Sequence, residues 1–87
     1  MALLRHEVWL DPEGLPGMCL AGPMGDGFRA LLEPGSRLVA TIEGSSHFDA
    51  MTKYYAMMGW GAYATEFQED YSPYPNEWLE VQHRAGR

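Results

Sequence analysis

The sequence predicts an α+β domain: a small two-layer sandwich over residues 1–87, with three to four strands and two to three helices packed on the sheet, in the order β-β-α-β-α-β-α. Two periodicities carry that expectation. Over residues 45–58 apolar side chains recur at helical spacing, whereas residues 4–10 and 37–43 alternate with the period of two that marks a strand covered on one face. The turns between these runs are short and rich in Pro and Gly, so neighbours in sequence are expected to be neighbours in space.

In the first strand, LRHEVWL, Leu4, His6, Val8 and Leu10 share one side, and Arg5, Glu7 and Trp9 share the other. Asp11, Pro12, Glu13 and Gly14 then form a turn, with proline presetting its second position. The apolar run at 18–21 is too short for a stable helix and suits a strand antiparallel to the first, in which Cys19 serves as a small hydrophobe. GPMGDG, residues 22–27, leads into a short helix over 28–33, expected to be capped by Asp26 and to turn Phe28, Leu31 and Leu32 inward. RLVATIE, residues 37–43, places Leu38, Ala40 and Ile42 on one face of a strand that should lie under the main helix.

Gly44 and Ser45 give a very short link to that helix. Ser46 and Asp49 have the form of a capping box, and Gly59 and Gly61 mark the end. Phe48, Ala50, Met51, Tyr54, Tyr55, Met57 and Met58 fall on the packing side; Asp49, Thr52, Lys53 and Ala56 face water. Residues 62–67 alternate, with Tyr63, Thr65 and Phe67 on one side, and are expected to form a further strand. QEDYSPYP, residues 68–75, reads as a loop because of its two prolines. Asn76 can cap a terminal helix over 77–82, although Leu79, Val81 and His83 also alternate as a strand would.

Twelve acidic residues against six basic ones give a net charge of −6, and no Lys or Arg stands between Tyr54 and His83. Such a surface repels phosphate backbones and anionic leaflets, so neither nucleic acid nor a membrane is the expected partner. Cys19 is the only cysteine, which excludes an internal disulfide and a Cys-based zinc cluster and suits a reducing, cytoplasmic setting. Arg5, His6 and Glu7 interrupt the apolar start, so nothing reads as exported or anchored.

Three sets of residues are candidates for function. His47, with Asp49 and Tyr54, has the chemistry of an acid/base group, since imidazole titrates near neutral pH. Arg29 with Gly25 and Gly27 has the elements of an anion-holding loop, but the Lys and Ser/Thr of a P-loop are missing. His6, His47 and His83 lack the spacing that puts two ligands on one helix face, so no metal and no cofactor is expected. Trp60, Tyr71, Tyr74 and Trp78, added to the methionines and tyrosines of the main helix, exceed what one thin sheet needs. The first reading is therefore a non-catalytic interaction or accessory domain that forms a homodimer or docks on a protein. The alternative is a small-ligand-binding domain or minor enzyme with a cleft near His47 and the 22–29 loop. A closed concave site lined by His47 favours the second, and a flat aromatic patch favours the first.

Overall fold

The computed structural model describes residues 2–85; positions 1, 86 and 87 of the expected domain lie outside the described residues. Three strands, β1 (Leu4–Leu10), β2 (Pro16–Leu20) and β3 (Arg37–Gly44), form an antiparallel sheet in the order β2-β1-β3. Three helices, α1 (Asp26–Ala30), α2 (His47–Met58) and α3 (Asn76–Ala85), complete an α+β domain, with 3-10 turns at Pro23–Gly25 and Gln68–Tyr71. Alternation decides the faces: Leu4, His6 and Val8 are buried, while Arg5 between them is exposed. The β1–β2 turn is fixed by Asp11, whose carboxylate accepts from the amides of Glu13 and Leu15.

α2 begins as the capping box implies. Ser46 Oγ accepts from Asp49 N at 3.0 Å, and Asp49 Oδ2 reaches back to Ser45 N at 2.9 Å, one residue earlier than the usual partner. Gly59 ends the helix in the left-handed region, at φ 74°. The close approach of α2 to β3 depends on two small residues, since a Cβ at Gly44 would lie 2.9 Å from that of Ala50. Val8, Ile42 and Tyr54 form the core, with Met18, Ala40, Met51, Tyr55 and Met58 packed at its margin. The domain measures 35 × 35 × 18 Å, the thickness of one sheet and one helical layer, so this core is small.

Several expectations are corrected. Residues 62–67 form no strand: Thr65 Oγ1 accepts from Phe67 N and donates to Asp70 Oδ2, a local turn that takes the place of ladder bonds, and Tyr63 folds back onto Tyr55. α1 stops at Ala30, leaving Leu31 85% exposed, and Asp26 begins the helix without capping it. A bulge between Val8 and Trp9 sets Leu38 opposite Trp9, out of the alternation that Ala40 and Ile42 share, and Leu38 is exposed. Phe48, Met51, Tyr55 and Met58 are half-buried, and Met57 is exposed. The loop 68–75 contains a 3-10 turn, and the last element is a helix that starts at Asn76, where Trp78 N donates to the Pro75 carbonyl.

α3 is tied to the sheet by one side chain. Where β2 leaves β1, Gln82 Oε1 accepts from Arg5 N at 2.9 Å and Nε2 donates to the carbonyls of Arg5 and Ala21 at 2.8 and 3.0 Å. The amide thus takes the place of a missing strand residue, and Gln82 is buried. Gln82→Met should leave Arg5 N–H without a partner and cost about 1–3 kcal/mol, the usual penalty for an unsatisfied buried donor. The check is the urea midpoint, which should fall with an unchanged slope.

Candidate functional site

A helix about 10 Å across covers roughly two strands spaced about 4.8 Å apart. α2 packs on β3 and reaches the core beside Met18, α3 makes its contact beside β1, and Phe28 of α1 lies against Gly17, which leaves part of the β2 and β1 face open. That uncovered face floors a cleft of about 630 Å³, within the range usual for small-molecule sites. His6, Met18 and Leu20 line it from the sheet, and His47 and Met51 from α2. Met24, Gly25 and Phe28 form the opposite wall, while Glu69, the 72–75 segment and Trp78 close over the top. The lining is mostly apolar.

His6 and Tyr74, whose hydroxyl reaches from the covering segment to the sheet, form its polar floor. The Ile42 carbonyl can only accept, so His6 Nδ1, 3.2 Å away, carries the proton; Nε2 then accepts from the Tyr74 hydroxyl at 2.8 Å. Burial holds the His6 pKa below its ordinary value, against the hydrogen bond to Ile42. Burial likewise pushes the Tyr74 phenol up to about 12, helped by the fields of Asp49 and Asp70. Both groups are therefore neutral at pH 7, and both are occupied by each other.

The 22–27 loop contributes shape. Gly25 is buried against β2, where a Cβ would fall 1.9 Å from the Leu20 carbonyl, so glycine lets the wall close on the sheet. Gly27 is exposed, with open space where a Cβ would project. Arg29 turns away from the cleft to Glu7 and Asp26, each at 2.7 Å, and also donates to the Gly22 carbonyl. Its pKa is raised, first by the bond to Asp26. Cys19 Sγ lies 3.8 Å from both Glu7 and Arg29, and burial, then Glu7, raises its pKa, which favours the unreactive thiol.

The structure does not bring His47, Asp49 and Tyr54 together. His47 stands at the rim of the cleft with its ring edge-on to Tyr63, at 6.3 Å. Asp49 is held by the Ser45 amide, which lowers its pKa, and by Lys53 at 3.3 Å. Tyr54 is in the core beside Trp60, and burial raises its pKa. The four aromatic residues expected at an interface divide. Tyr74 and Trp78, with ring centres 5.8 Å apart, belong to the cleft. Trp60 and Tyr71 are exposed ends of a chain of rings that runs along α2 through Tyr55, Tyr63 and Phe48.

Sequence reasoning placed His6 on the covered side of β1 but missed its partner, which is 68 positions away. Among the described residues no three metal-ligating side chains converge, and no helix is long and apolar enough to cross a membrane. Comparison with protein-family models, with curated proteins and with solved structures gave no match.

The His6 pair has a signed pH dependence. The unfolded chain takes up a proton near pH 6.5 that the folded one resists, so stability should be full above that pH and decline as pH falls through it. Urea midpoints measured from about pH 7.5 to about 5.5 should drop, and less steeply in His6→Gln. At the alkaline end, ultraviolet titration should find a phenol, Tyr74, ionising at about 12.

Proposed function

We propose that the chain is a small-molecule-binding domain whose site is the apolar cleft between α2, the 22–28 segment and Trp78. The observation that supports this reading is the cleft itself, a half-open, mostly apolar concavity with His47 at its rim. Its chemistry is that of binding. The floor hydroxyl and imidazole saturate one another, the cysteine is protonated, and the acid/base candidates diverge. Three methionines on three different walls, Met18, Met24 and Met51, give a surface that can adapt to a ligand's outline. A free Cys19 suits a cytoplasmic setting for this activity.

Filling the cleft tests the reading. Met24→Trp should reduce binding of a neutral apolar fluorophore such as Nile red by about tenfold or more, with no loss of urea stability, because Met24 is on a turn outside the core. Equal binding by the filled variant would refute it.

A second reading, self-association, is favoured by exposed aromatic rings in the segment that follows α2. Trp60 is 51% and Phe67 66% exposed, sites where apolar rings gain from a partner surface. Sedimentation at micromolar concentration should then show a dimer that Trp60→Glu converts to a folded monomer; a monomeric parent protein removes this reading.

A further inference from the structure

The charge around the cleft narrows the class of ligand, given that the cleft is a ligand site. Among the described residues Glu69 is the one carboxylate lining it, and no Lys or Arg does so. Of the cations on the adjoining elements, Arg29 is engaged with Glu7 and Asp26 and Lys53 with Asp49, while Arg84, six residues beyond Trp78 on α3, does not line the cleft. Glu69 itself forms no ion pair among the described residues, and the sequence from Tyr54 to His83 offers no basic side chain except histidine. Burial holds the Tyr74 proton, with smaller contributions from Asp49, which Lys53 already pairs, and from Asp70. The walls also suit a positive charge on a hydrocarbon body: Phe28, Tyr74 and Trp78 present ring surfaces, and aromatic faces attract cations that water solvates weakly.

We propose that the cleft selects apolar organic cations, a tertiary or quaternary ammonium on a compact hydrocarbon. Its body lies among Met18, Met24 and Met51 and its charged head near Glu69 and Trp78. A neutral hydrocarbon of the same shape gains the apolar contacts alone. An anion meets Glu69 without a countercharge.

The test uses two isosteres that differ in one atom and one charge, trimethylphenylammonium and tert-butylbenzene, with affinities read from shifts of the methionine methyl signals. Because the two differ in their own hydration, the quantity to compare is the ratio of their affinities in the unaltered chain and in Glu69→Gln. The substitution keeps the shape of an exposed side chain and should leave the circular dichroism spectrum unchanged. The cation's relative affinity should fall about fivefold in Glu69→Gln, and its absolute affinity in the unaltered chain should weaken with added salt, as a part-exposed charge contact does. An identical ratio in both proteins, or binding of tert-butylbenzene alone, overturns the cation proposal while the cleft remains a ligand site. Binding of neither probe overturns both.

Discussion

The central constraint is one of coverage: three strands make a sheet wider than one helix can cover, and the link between β3 and α2 is too short to let that helix sit anywhere but over β3. Gly44 and Ala50 fix this placement, because their lack of bulk lets the helix lie close to the strand it has just left. Part of the front of β2 is then left open. Everything that follows α2 can be understood as partial cover for that surface, and the cleft is the part that stays open.

The cover is held by polar bonds more than by apolar burial. Tyr74 is anchored by His6, and α3 by the Gln82 amide, each reaching a strand far away in sequence. Both anchors are buried and fully hydrogen-bonded, so they fix geometry at little net gain in stability, while their loss would leave groups unpaired. An apolar cover of the same size would have been free to slide inward and close the space. Directional bonds at its two ends keep it propped above the methionines.

Much of the fold was legible because alternation and helical spacing report local burial. β1 was read at its observed limits from LRHEVWL, and α2 from Ser46, Asp49 and Gly59, whose roles are local in sequence. The 62–67 segment misled because Tyr63, Thr65 and Phe67 alternate for unrelated reasons: one ring packs on α2, one hydroxyl makes a turn, and one ring faces water. The site was half visible. His47 and the 22–29 loop do bound the cleft, but Tyr74 and Trp78 were read as interface, since an aromatic residue in an irregular segment does not declare whether its neighbour will be a partner or a cavity. Gln82 left one faint sign, a polar residue on the same arc of α3 as Trp78 and Leu79.

The Gln82 bridge spans 77 positions, from Arg5 near one end of the chain to the last turn but one of α3. The cleft takes one wall, Trp78, from the helix that this bridge holds. It also shares its fate with the most distant contact in the fold, so any fluctuation that frays α3 releases the Trp78 wall along with the strand it clasps.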